Sequence, residues 1–466
     1  MKKIFAIVLG ASMLFASCQK FVEGYDVSPN SPSDASPDLL LAASELSVFA
    51  TYGGNMSRIA SMWSQQSEGT SNQSEAVGKY MLDEGDVENE WDVIYTRGLK
   101  NLRLIQSKAG NESPHYTGVS QVLEALMIGV ATDFWGDVPY SQAMGGLNAE
   151  QTFQAACDKQ EDILASMQTL LDDAIANCGA ADSKLSPGYD DYIYEGDMSK
   201  WIGFANLLKA RYHMRASGRD AGWAAKALAD VAAAKAAGFA DASGDANCIF
   251  GTNANEFNQW YAFAKVARQN YMKAGSNLVD MMNAQSDPRL PYYFTEGDTG
   301  GYYGAGLGSL DVAASDFGSY FASASSVTPL GTFVELSFIE AEAKLASGDK
   351  SGAADAHNAA IAAHVEQITG MSADPAWIAA NASEDANSIT LEKIMTQKYI
   401  SGFTMMEPYN DWRRTGIPAL SAHPSGNLGT DMALRFPTSL GERLYNTQYG
   451  TIYGIQELNM PVWWDN

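Results

Sequence analysis

The sequence predicts an all-α protein, with about four tetratricopeptide-like helix pairs as a scaffold and irregular, loop-rich insertions that form a ligand face. Three observations predict it. Apolar residues recur at helical spacing through much of the chain. The helical stretches, each about 14–18 residues, come in pairs joined by short turns. Small residues sit where two helices of a pair would have to approach closely.

Leu39 to Ala50 starts the first helix, with Ser36-Pro37-Asp38 as its start. Trp91 to Ser107 places Ile94, Leu99, Leu102 and Ile105 on one stripe. Val119 to Phe134 does the same with Val122, Leu123, Leu126, Met127 and Val130. Glu161 to Ile175 and Trp201 to Met214 form the next pair. Phe333 to Ala346 and Ala353 to His364 are joined by Ser347-Gly348-Asp349, and their Ala341, Ala343, Ala353, Ala354, Ala359 and Ala360 allow close packing. Leu391 to Gly402 is followed by Glu407 to Thr415 as its partner. The pairs are 92–134, 155–217, 333–366 and 391–415. Residues 240–332 break the pattern. They are rich in Gly, Asn, Ser and Tyr, and helical period is weak there except near 260–284. A long loop region in a compact protein is usually functional or disordered, and its aromatic content argues against disorder.

The N-terminus has its own logic. Lys2 and Lys3 precede an apolar run from Ile4 to Phe15 that is too short to span a bilayer and has the form of a secretory signal. Ala16, Ser17 and Cys18 follow, as in a bacterial lipobox, with Phe15 where Leu is usual. The expectation is a signal over 1–17, a lipidated Cys18 with an acidic, Pro- and Ser-rich tether over 18–38, and one domain over 39–466.

The 466 residues carry 30 Lys+Arg against 55 Asp+Glu, a net charge of −25, which excludes a nucleic-acid-binding surface built from clustered bases. Loss of Lys2 and Lys3 with the signal takes −25 to −27. Cys157, Cys178 and Cys248 remain, too few for a disulfide scaffold, and read as small buried hydrophobes. Their odd number requires a free thiol or an intermolecular bond and leaves pairing of Cys157 with Cys178 open.

No nucleophile elbow, HExxH, P-loop or dinucleotide fingerprint occurs, so no enzyme, metal or cofactor is expected. His357 and His364 could share a helix face, which reads as a solvated repeat face. The acidic run 83–92 lacks the spacing of a calcium loop and reads as a solvated loop leading into a helix. In Asp133–Tyr140 the aromatics pack, and Gly136-Asp137 turns the chain.

The 22 Tyr and 10 Trp are the functional lead. Flat aromatic faces stack on the C–H faces of sugar rings, and nearby amides take the hydroxyls. Trp63 with Gln65, Asn258 with Trp260, and Tyr302-Tyr303 between glycines combine these features, so Trp63, Gln65, Asn258, Trp260, Tyr302 and Tyr303 are the candidate ligand residues. Core packing is the competing role for each ring.

In these segments the chain resembles the SusD/RagB family of outer-membrane nutrient-binding lipoproteins, in its SusD-like branch. The resemblance runs through the lipobox at Cys18, Asp133–Tyr140 and Leu208-Lys209-Ala210-Arg211-Tyr212. It continues with Asp287-Pro288-Arg289-Leu290-Pro291, the helix pair 333–366 and Asp411-Trp412-Arg413-Arg414-Thr415-Gly416-Ile417-Pro418. Arg435-Phe436-Pro437 and Pro461-Val462-Trp463-Trp464-Asp465 complete it. It implies a lipid-anchored protein on the outer face of the outer membrane. It also implies a TonB-dependent SusC-like transporter as partner, an oligosaccharide or peptide as ligand, and no catalysis. A glycoside hydrolase is the remote alternative, because 55 acids offer many accidental carboxylate pairs. No ligand residue carries over by motif.

Overall fold

The structure is a computed structural model that describes residues 35–147 and 153–465. The expected signal over 1–17, Cys18 and the expected tether up to residue 34 lie outside the described residues.

The chain folds as predicted, mostly into helices. Helix α1 is Pro37–Gly53, with Pro37 in its first turn, and α2 is Asn55–Trp63. The first predicted pair is α3 (Lys100–Ala109), extended upstream by a wide π-helical stretch over Val93–Leu99, and α4 (Pro114–Trp135). The expected stripe Ile94, Leu99, Leu102 and Ile105 is fully buried. The second pair is α5 (Gln160–Cys178) and α6 (Met198–Arg215). The third is α8 (Phe333–Ala346) and α9 (Lys350–Thr369), and the fourth α10 (Leu391–Ser401) and α11 (Glu407–Thr415). Between the second and third pairs lies α7 (Trp223–Ala236), a helix not foreseen from sequence.

The helices stack in chain order, α4 on α5, α5 on α6, α6 on α7, α7 on α8 and α8 on α9, with α10 against α8. Small residues make this possible. A Cβ on Gly129 of α4 would lie 1.8 Å from the Tyr212 hydroxyl, so only glycine lets α6 seat its tyrosine there. Ala341, Ala343, Ala353, Ala354 and Ala360 are buried between α8 and α9. Caps define that pair. The Thr332 hydroxyl accepts the Glu335 N–H (3.0 Å), and the Asp349 carboxylate accepts that of Gly352 (2.9 Å).

Arg211 and Arg414 of the resemblance motifs, with nearby Arg215, have buried side chains paired across elements. Arg211 binds Glu335 (2.7 Å), and Arg215 binds Asp133 (3.0 Å) and Glu407 (2.5 Å). Arg414 binds Glu342 and Asp411, Asp411 also binds Lys398 (2.8 Å), and Arg289 binds Asp287 (2.5 Å). These pairs link α4, α6, α8, α10 and α11 in fixed register, since a buried charge without its partner is costly.

Two sequence expectations need correcting here. His357 and His364 are not on a solvated face. Both are buried, His357 against Phe338 (5.9 Å) and His364 accepting through Nδ1 from Arg289 Nη1 (2.9 Å). Burial pushes His357 down to about 4 and His364 well below its usual value. The acidic run is not freely solvated. Glu84 pairs with Arg443 (2.5 Å), Glu88 accepts from Ser439 and Gly441, and Glu90 accepts from Asn55 (2.9 Å). Cys157, Cys178 and Cys248 are free thiols; Cys178 and Cys248 are buried and Cys157 half-buried. Phe134 and Trp135 pack fully, and Gly136 turns the chain at φ +77°, as expected. No described helix is long and apolar enough to cross a membrane.

Candidate functional site

Strand β2 (Ala246–Cys248) pairs antiparallel with β4 (Thr328–Gly331) and delivers residues 249–259 to the exposed side of α1. The next turn of the chain is set by Asn258. Its Oδ1 accepts the Trp260 and Tyr261 N–H groups (2.9 and 3.1 Å), and its Nδ2 donates to Ser326 O (2.9 Å). Tyr192 approaches from another segment, held by its backbone N–H on the buried Glu45 of α1 (2.7 Å). Burial first, and then Asp191, raise the Glu45 carboxyl well above the usual range.

These segments enclose an open groove of about 480 Å³. Phe49, Phe250, Phe257 and Tyr192 give it aromatic walls, Leu46 and Ile249 are aliphatic and about half exposed, and Asn255, Glu256 and Gln259 are polar. Phe49 and Phe250 stand 6.0 Å apart, and Phe257 meets Tyr261 edge-on at 5.1 Å. Apolar walls with a few polar groups are the usual makeup of a small-ligand site.

The expected ligand residues are distributed differently. Trp63 is 1% exposed and donates from Nε1 to Val77 O (3.0 Å), with Tyr80, Tyr409 and Phe436 around its ring. Trp260 is fully buried against Phe317 and Phe403, its Nε1 on Ser57 Oγ (3.1 Å). Neither ring has a free face, so both are core residues and not stacking platforms. Asn258 is a buried helix cap with both ends of its amide engaged. Gln65 is buried too, donating to Ser421 O (2.5 Å) and accepting from Asn277.

Tyr302 and Tyr303 are half-buried rather than projecting. Tyr303 donates its hydroxyl to Ala313 O (2.8 Å), and Tyr302 O accepts from Asn283 (2.9 Å). Their loop meets the Gln65 segment. Strand β1 (Ser67–Gly69) pairs with β3 (Met272–Ala274), Gly275 N–H donates to Gln66 O (3.0 Å), and Ser276 N–H donates to Ala305 O (3.0 Å). The structure thus brings Gln65, Tyr302 and Tyr303 to one loop junction, while Asn258 and Trp260 underlie the groove. The groove aromatics Phe250 and Phe257 were missed, although both lie in the Gly- and Asn-rich run 250–258.

Comparisons with known proteins agree with this architecture. The SusD-like family model described as "Starch-binding associating with outer membrane" matches residues 29–437. No curated protein matches the chain. Among solved structures, a chitin-binding protein superposes with a TM-score of 0.77 at 22% identity, covering 92% of this chain and 99% of its own. A chitin-binding SusD homolog from Flavobacterium johnsoniae gives 0.77 at 21% identity, covering 91% and 98%. A SusD/RagB family protein from Bacteroides thetaiotaomicron gives 0.74 at 23% identity, covering 93% and 99%. Identities this low speak to the fold, and the family match spans most of the sequence: the chain belongs to the SusD-like family.

Proposed function

We propose that the protein is a cell-surface glycan-binding lipoprotein. In this reading residues 1–17 are removed, Cys18 carries the lipid, and the single domain 39–466 hands oligosaccharides to a TonB-dependent transporter of the SusC type. One observation carries the binding part: a SusD-like chain presents an open groove with aromatic walls and amide and carboxylate groups among them. Phe257, Phe250 and Tyr192 offer ring faces or edges to sugar C–H groups, and Asn255, Glu256 and Gln259 serve the hydroxyls. Tyr302 and Tyr303 form a second, half-exposed aromatic contact. Binding rather than hydrolysis fits the groove, because Glu256 is the one carboxylate among its lining residues and glycoside hydrolysis needs two.

Two structural relatives bind chitin by name and the family description names starch. Chitooligosaccharides and maltooligosaccharides are therefore the first ligands to test by calorimetry on the mature protein. Binding of either, weakened about tenfold in Phe257→Ala, supports the reading; no binding by any saccharide of a broad panel overturns it. A peptide is the second reading, favoured by the exposed aliphatic side chains of Leu46 and Ile249 in the groove. Thermal stabilisation by peptides and not by glycans would select it. Cys18→Ala is expected to release the protein from the membrane fraction.

A further inference from the structure

Arg58 of α2 differs from the other buried arginines among the described residues in how little holds it: Arg413 and Arg435 also lack an ion pair, but each donates to at least two carbonyl or amide oxygens. Arg211, Arg215, Arg289 and Arg414 each hold at least one carboxylate within 3.0 Å. Arg58 is 8% exposed, yet among the described residues it makes no ion pair. Its hydrogen bond is a long one, from Nη1 to Gln259 O at 3.4 Å. The guanidinium lies 4.3 Å over the Phe263 ring, and the neighbouring Glu90 spends Oε1 on Asn55. Glu90 acts on the guanidinium only from a distance, and a desolvated cation with no carboxylate in hydrogen-bond contact is unfavourable. Burial lowers its pKa to about 10, which leaves it charged at neutral pH.

Arg58 lines a small pocket of about 180 Å³. Ser74 and Gln73 bring further donors to it, Phe263 and Met272 bring apolar surface, and Asp86 is exposed at its edge. Its size is below the roughly 300–1,000 Å³ of a drug-sized site, which suits one ring or one substituent. Gln259 lines the larger groove with its side chain and takes the Arg58 hydrogen bond with its carbonyl, so the pocket and the groove flank one residue.

We propose that the Arg58 pocket is a subsite for an oxyanion carried on a sugar, a carboxylate or a sulfate. The fork of the guanidinium matches two oxygens of such a group, and the hydroxyl and amide of Ser74 and Gln73 take the remaining lone pairs. The oxyanion of the ligand supplies the directly hydrogen-bonded counter-charge that Glu90, acting from a distance, does not. Asp86 and Glu90 oppose any anion, as does the net charge of −25, so affinity for acidic ligands depends on this one arginine. This inference rests on the glycan-binding reading above.

The test is calorimetry on the mature protein with three oligosaccharides of matched length: neutral, uronate-containing and sulfated. One or both acidic ligands are expected to bind at least about tenfold tighter than the neutral one, as a charge-assisted contact implies. The acidic arm that wins identifies the group. Arg58→Gln is expected to erase that preference, and Arg58→Lys to restore it only in part. Asp86→Asn, which leaves the buried charge in place, should tighten acidic binding and decides the matter if Arg58→Gln does not fold. Neutral binding with no acidic preference overturns this inference alone. Equal loss of neutral and acidic binding in Arg58→Gln also overturns it. Failure of all three ligands to bind counts against the glycan reading itself.

Discussion

The Glu68 carboxylate faces the His423 imidazole at 3.8 Å, Oε1 to Nε2, in the junction that joins β1 to the loops at 308 and 423. The Ser425 N–H donates to His423 Nδ1 (3.1 Å), which leaves the ring proton on Nε2, toward Glu68. Gly308 N–H donates to Glu68 Oε1 (3.2 Å). Burial raises the Glu68 carboxyl from 4.5 to about 8, against that hydrogen bond, and lowers His423.

The signs make a pH prediction. The folded pKa of Glu68 lies above its unfolded value, so its contribution is fully present below pH 4.5 and is lost as pH rises towards 8. The slope is at most about 1.4 kcal/mol per pH unit. His423 acts oppositely, its lowered pKa costing stability as pH falls below 6.5. Glu68→Gln removes the first effect. The variant should gain thermal stability over the natural protein as pH rises from 5 to 8. Parallel melting curves of the two proteins across that range would overturn the assignment.

Gly308 is the second element of the junction. Its φ of +76° disfavours any side chain, and a Cβ would come within 2.6 Å of Pro424 Cγ. Gly300 has φ +85° but nothing within 4 Å of a Cβ. Gly300→Ala should therefore cost about 1 kcal/mol from backbone strain alone. Gly308→Ala should cost roughly 2–3 kcal/mol by denaturant titration and should speed amide exchange over 305–309. Equal losses in the two variants would show that the contact with Pro424 relaxes freely.

Sequence patterns disclosed the scaffold better than the site, for physical reasons. A helix that buries Ile94, Leu99, Leu102 and Ile105 on one stripe advertises its period. Helix α7 does not, because alanines occupy both its faces and only Ala227, Asp230, Val231 and Ala234 are buried. The direction in which an aromatic ring points leaves no trace in composition. Trp260 and Phe257 sit three residues apart in one Asn-rich segment, and the cap made by Asn258 sends the tryptophan inward. Arg211 and Arg414 were legible within motifs, but Glu335 and Glu342, which they bind, lie on another helix.

Glu407 tests that buried network. It binds Arg215 (2.5 Å) and lies 3.7 Å from Arg211. Burial opposes its charge, but the two arginines hold its carboxyl below the usual range. Glu407→Gln leaves Asp133 on Arg215 and Glu335 on Arg211, so the loss should fall at the lower end of the usual 3–5 kcal/mol for breaking a buried pair. The deficit should shrink as pH falls through the native Glu407 titration. A neutral or stabilised variant in urea titration at pH 7 would mean that Asp133 and Glu335 suffice.

The aromatic residues separate stability from binding. Trp260 is fully buried and bonded to Ser57, so Trp260→Ala should cost about 3–5 kcal/mol and lower the melting temperature sharply. Any loss of ligand binding in that variant should follow the loss of folded protein. Phe257 lines the groove and is only half-buried. Phe257→Ala should cost about 1–2 kcal/mol of stability, less than Trp260→Ala, since part of its ring stays in water on folding. It should nonetheless weaken oligosaccharide binding about tenfold, the loss of one aromatic contact. Melting curves and calorimetry on the two variants read both effects. A Phe257→Ala protein that binds normally, beside a folded Trp260→Ala protein that does not, would move the ligand from the groove to the core side of residues 257–263.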